Sequence, residues 1–101
     1  MADEIRVGDV GTIFRVTIKE GTSAVDISTA TTKQIILEKP DGTNLEKDAL
    51  FYTDGTDGII QYTTVANDLS TEGIWKIQGY VVLSGGSWHS TIESFEVYGN
   101  L

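Results

Sequence analysis

The chain contains no cysteine, one histidine and one proline among its 101 residues. Without cysteine there can be no disulfide and no thiolate metal site, and cysteine usage says nothing about the redox compartment. A lone histidine cannot assemble a zinc centre. Basic residues are scarce, 7 against 15 acidic ones, for a formal charge of −8. Nucleic acid and anionic membrane surfaces are therefore excluded as expected partners, because both need clustered Lys and Arg. No apolar run approaches the length of a membrane span. The first seven residues are charged and carry no apolar segment, so no signal peptide is expected. Helical periodicity is also missing. What remains is a chain of one-domain size, 101 residues with 40% hydrophobic composition, and 11 glycines that suit many turns.

Alternation with period two dominates that remainder. The stretch Gly73–Leu83 is the longest such run. It sets Trp75, Ile77, Val81 and Leu83 on one face and Ile74, Lys76, Gln78 and Tyr80 on the other. It is predicted to be the central strand. Residues 12–19 predict a second strand, with Phe14, Val16 and Ile18 inward, and with Ile13 as an apolar exception on the outward face. Residues 4–7, 24–27, 32–39, 45–53 and 59–65 predict further strands. Glu46, Lys47 and Asp48 mark the strand over 45–53 as an edge. Pro40-Asp41-Gly42 and Asp54 to Gly58 have the chemistry of tight turns, and Leu69 is the expected anchor of a polar corner. The last strand, 88–98, changes parity between Ile92 and Phe95. Either a bulge lies near Glu93 and Ser94, or the inward face changes sheet there. These elements predict an all-β, immunoglobulin-like antiparallel β-sandwich of about seven strands, as a single domain over residues 1–101.

The chemical motifs are weak. Nothing marks a serine as a nucleophile, since no Gly-x-Ser-x-Gly elbow is present. Asp54 and Asp57 stand three residues apart, and position twelve from Asp54 is Val65, which is wrong for an EF-hand loop. No catalytic residue, metal site or cofactor is predicted, and the protein is not expected to be an enzyme. The expected sites are partner-binding: Ile5, Val7 and Tyr98 on thinly charged edge strands, and Tyr80, Trp88 and His89 around a glycine-rich turn.

Two resemblances sharpen this. Glu72-Gly73-Ile-Trp75-Lys-Ile77 resembles the corner leading into the sixth strand of immunoglobulin-like domains, with Trp75 at the tyrosine position and Ile77 at the cysteine position. A tryptophan lacks the tyrosine hydroxyl. Ile5-Arg-Val-Gly-Asp-Val-Gly, Phe14-Arg-Val-Thr-Ile18, Lys39-Pro-Asp-Gly-Thr43, Gly73-Ile-Trp75-Lys-Ile77 and Phe95-Glu-Val97 together resemble the immunoglobulin-like domains of tailed-phage virion proteins, in particular the N-terminal domain of baseplate upper proteins. This resemblance implies a virion structural or adaptor protein that docks onto a baseplate, tail or neck. It would be made in the host cytoplasm, with other virion proteins in a symmetric assembly as partners. The alternatives are a capsid decoration protein and a carbohydrate- or host-surface-binding module that takes a host glycan. Because the sequence stops at Leu101, an adaptor role is expected rather than a complete receptor binder.

Overall fold

The computed structural model describes residues 5–100. Glu4, the first residue of the predicted N-terminal strand, lies outside them. The described chain is all β: β1 (Ile5–Arg6), β2 (Ile13–Thr17), β3 (Lys19–Glu20), β4 (Ser23–Ala24), β5 (Thr32–Glu38), β6 (Asn44–Asp48), β7 (Leu50–Phe51), β8 (Ile59–Thr63), β9 (Gly73–Leu83), β10 (Gly86–His89) and β11 (Glu93–Tyr98). Among the described residues eleven segments stand for the eight predicted ranges, because three of those ranges are each broken in two.

The larger sheet runs β1-β11-β9-β5-β6, with β10 also on β9, and the smaller runs β2-β8-β7. β9 is the axis of the larger sheet. One edge pairs with β5 from Lys76 to Val82; the other pairs with β11 over Gly73 to Ile77 and with β10 over Tyr80 to Leu83. The parity break expected in the last strand falls between β10 and β11. There Ser90 is stapled to Gly79: its amide donates to the Gly79 carbonyl at 2.9 Å, and its hydroxyl accepts the Gly79 amide at 2.7 Å.

The inward residues of both sheets form one core. Trp75, Ile35, Leu37, Ile60, Ile18, Ile27, Leu69 and Val81 have no exposed surface, and Val16, Ile77 and Val97 are buried beside them. Phe14 packs on Phe95 with ring centroids 4.8 Å apart, and Phe95 on Trp75 at 6.0 Å. A buried Trp removes about 150–250 Å² from water, and its polar N–H needs a partner. The Trp75 indole donates to the Thr71 carbonyl at 2.9 Å. The tryptophan thus makes the upstream backbone bond that a tyrosine hydroxyl makes in the corner it resembles.

Glycine sets the spacing at two places. A Cβ on Gly79 would stand 2.5 Å from a Val16 methyl, so the sheets can approach closely only with glycine here. Gly73 has φ +131°, and a Cβ there would meet the Pro40 ring at 2.7 Å. The single proline therefore closes the β5–β6 hairpin and also covers the start of β9.

The predicted strand over 45–53 changes sheets at its middle. β6 pairs with β5, buried Ala49 donates its amide to the Lys33 carbonyl at 2.9 Å, and β7 pairs with β8. A cross-sheet polar cluster fastens this corner. Lys47 of β6 reaches Asp68 at 3.1 Å, the Val65 amide donates to the same carboxylate at 2.9 Å, and the Tyr62 hydroxyl of β8 also donates to it. Burial pushes the Asp68 carboxyl up, but Tyr62, Val65 and Lys47 together outweigh it and hold it below 3.8. Burial, then the bond and charge of Asp68, push the Tyr62 hydroxyl up to about 12.

Candidate docking surface

The six predicted partner-binding residues fall into two groups. Ile5, Val7 and Tyr98 meet at one seam. β1 pairs in parallel with the end of β11, Ile5 beside Val97 and Arg6 beside Tyr98, and the Val7 amide donates to the Tyr98 carbonyl at 2.9 Å. The two strands expected to be edges therefore pair with one another here: β1 is the outer strand of the larger sheet, and it covers the end of β11 at Val97 and Tyr98. Ile5 and Val7 are half-buried against the core, and the Asn100 amide donates to the Val7 carbonyl at 2.7 Å. Only Tyr98 remains exposed, with the Arg6 guanidinium 5.7 Å from its ring centre.

Tyr80, Trp88 and His89 are neighbours in the sheet but do not form one surface. Tyr80 stands opposite His89, ring centroids 4.6 Å apart, on the outer face. Trp88 stands opposite buried Val81 and so shares the inner face, half-buried against the core. Alternation sends the two adjacent residues to opposite sides of the sheet.

The Asp54 to Gly58 turn is held from within. The Thr56 amide and hydroxyl donate to Asp54 at 3.0 and 2.6 Å, and the Ile59 amide and Thr53 hydroxyl donate to Asp57 at 3.0 and 2.8 Å. The Thr56 hydroxyl, then its amide, hold the Asp54 carboxyl below its usual value. Asp41 with Thr43 and Asp26 with Ser28 repeat the same local geometry. Among the described residues no three His, Asp or Glu side chains gather as metal ligands.

A third surface stands apart in its charge. Register places Ile13, Arg15 and Thr17 of β2, Ile59, Gln61 and Thr63 of β8 and Leu50 of β7 on the outer face of the three-stranded sheet. That face carries no carboxylate, although the chain carries a formal charge of −8. Leu50 is 69% exposed, Ile13 50% and Tyr52 44%. Arg15, the one charge, lies over the Tyr52 ring at 4.2 Å, and its Nε donates to Gln61 at 3.0 Å. Both partners are neutral, and among the described residues no carboxylate forms an ion pair with this guanidinium. Depletion of acidic residues together with aromatic and Arg anchors is the compositional mark of a protein interface. The outer face of the six-stranded sheet has the opposite character, with Glu38, Glu46, Asp48 and Glu96 spread over it and Lys76 3.9 Å from Glu38.

Sequence reasoning missed this face. Its one visible signal was Ile13, apolar on the outward register of β2. Leu50 and Tyr52 could not be placed beside it without the change of sheets at Ala49.

The fold and surfaces define an immunoglobulin-like sandwich with a charge-depleted face and a charged one. The description "BppU N-terminal domain" matches residues 3–97, and the chain belongs to this family, the N-terminal domain of phage baseplate upper proteins. It is a phage baseplate-associated structural domain. None of the curated proteins matches the chain. Among the described residues no helix is long and apolar enough to cross a membrane.

Proposed function

We propose that this domain is a docking module, which attaches to a neighbouring baseplate protein through the outer face of its three-stranded sheet. It works by binding rather than by catalysis. The observation that carries this reading is that exposed Ile13 and Leu50 share the outer face of β2, β7 and β8 with no acidic residue at any of its paired positions, on a chain whose formal charge is −8. Covering exposed apolar area is favourable at about 25 cal/mol per Å², and none of the paired positions on this face is an acidic side chain that would have to be desolvated. The Arg15–Tyr52 stack supplies a rigid anchor at the centre. The acidic remainder of the surface keeps unassembled copies apart and soluble. Hydroxyl-radical footprinting of free and assembled protein tests the reading. Oxidation of Ile13, Leu50 and Tyr52 should fall on assembly, while that of Ile74 and Ile92 on the opposite face stays unchanged. The reverse pattern would move the docking face to the six-stranded sheet.

A further inference from the structure

β2 is an edge strand with unpaired backbone. Among the described residues its only partner is β8. The Ile18 amide donates to the Gly58 carbonyl at 2.7 Å, and the Thr64 amide to the Thr12 carbonyl at 2.9 Å. These bonds fix the even-numbered residues of β2 as the ones bonded to β8. In an antiparallel ladder the alternate residues then point their N–H and C=O groups the other way. Among the described residues Ile13, Arg15 and Thr17 therefore present a row of unpaired donors and acceptors along the open side of the sandwich. In the four-stranded sheet of constant-type immunoglobulin domains, a first strand lies at this position. Here β1 pairs with β11 instead.

Natural sheets blunt such an edge with charge, proline or a bulge. β2 has none of these devices in effect. It is regular across its five residues, and its single charge, Arg15, is turned over Tyr52 on the outer face. Among the described residues β11 from Glu93 to Glu96 also lacks a partner on this side, but it is flanked by two carboxylates and is the poorer acceptor. Between the two edges runs a groove of about 150 Å³, lined by Arg15, Val16, Thr17, Lys19, Ser90, Thr91 and Glu93. That is about half the volume of the smallest small-molecule sites, so it suits a side chain rather than a free ligand.

We infer that β2 accepts a strand: an extended segment of a neighbouring baseplate protein pairs with Ile13, Arg15 and Thr17 and extends the β2-β8-β7 sheet by one strand. Main-chain hydrogen bonds supply the affinity in this mode, and alternate side-chain positions supply the specificity. The polar groove selects a segment with a short hydrogen-bonding side chain, of the Ser, Thr or Asn kind, at the position facing Ser90 and Thr91. A second copy of this chain is the poorer occupant. Each copy brings a formal charge of −8, and antiparallel pairing about a two-fold at Arg15 would set like charges opposite one another. The inference rests on the docking reading above and adds its mode.

The test is residue-resolved amide exchange of the full chain, free and in the assembled baseplate. Exchange at Arg15 and Thr17 should be fast in the free protein and slower by orders of magnitude on assembly. Thr17→Pro removes only an outward-facing N–H, at the kind of edge position where sheets tolerate proline. It should weaken incorporation at an unchanged melting temperature. If Arg15 and Thr17 still exchange fast in assembled particles that have lost the radical reactivity of Ile13 and Leu50, docking stands and strand addition falls. If neither readout changes, both fall. Concentration-dependent dimers of the isolated chain that protect Arg15 would overturn the choice of occupant.

Discussion

The two sheets of this sandwich divide the work between them. The six-stranded sheet holds the deepest part of the core, on the inward side of β9 and β5, and covers its outer face with Glu38, Glu46, Asp48, Lys76 and Glu96. The three-stranded sheet is smaller and has an open edge at β2, and its outer face carries apolar groups and one arginine. Charge on an outer face keeps a sheet in water; its absence on a chain this acidic leaves a face that a partner can cover without desolvating carboxylates. The comparison separates residues that make the fold from residues that make the interface, although both lie on strands of similar composition.

The sharpest way to break this division is in the core. Trp75→Ala should cost about 3–5 kcal/mol, the usual range for truncating a buried aromatic, because it removes both the packing on Phe95 and the bond to Thr71. Urea denaturation measures it. A loss below about 1 kcal/mol would mean that β9 is not the axis of stability.

The next effect lies at the fastener between the sheets. Tyr62→Phe leaves Asp68 without one of its donors and should cost about 1–3 kcal/mol. The pH dependence follows from the two shifts. The depressed Asp68 carboxyl contributes stability that is present above its unfolded value of about 3.9 and is lost as pH falls through the lower folded value. Tyr62 works at the other end: its raised hydroxyl contributes stability that is complete below about 10 and is lost as pH rises toward about 12. Thermal melts against pH should therefore fall at both ends, and Tyr62→Phe should flatten the alkaline limb. An unchanged alkaline limb in the variant would remove Tyr62 from the account.

The smallest expected effect on stability is on the docking face itself. Ile13→Thr and Leu50→Thr should each move folding stability by no more than about 0.5 kcal/mol, as exposed substitutions usually do. A large loss in either would show that the face is structural.

Much of this division was legible in the sequence. The alternation of Gly73–Leu83 identified both faces of β9 and put Trp75 and Ile77 inward, where they are buried. Pro40-Asp41-Gly42 located a hairpin, Leu69 the buried anchor of the corner, and Glu46 to Asp48 the edge strand β6. What stayed hidden depended on contacts between distant residues. The parallel pairing of β1 with β11 leaves no local pattern, so an edge strand and the strand end that it covers read as two separate edges. The step between sheets at Ala49 falls where Glu46-Lys47-Asp48 gives way to Ala49-Leu50-Phe51-Tyr52, a stretch without alternation to show which residues face inward. The parity reset at Ser90 separates the register of Trp88 from that of Phe95 and Val97, and only the ladder with β9 fixes which of Trp88 and His89 points inward. The charge-depleted face is assembled from β2, β7 and β8, and no single segment displays it.

The central claim is tested most directly by placing the same charges on each face and measuring incorporation into the baseplate. One variant carries Ile13→Asp and Leu50→Asp on the three-stranded sheet. The other carries Ile74→Asp and Ile92→Asp on the six-stranded side, where both native residues are also more than half exposed. With melting temperatures matched, the first variant should be excluded from particles and the second incorporated like the native chain. Exclusion of the second with normal incorporation of the first would contradict the account.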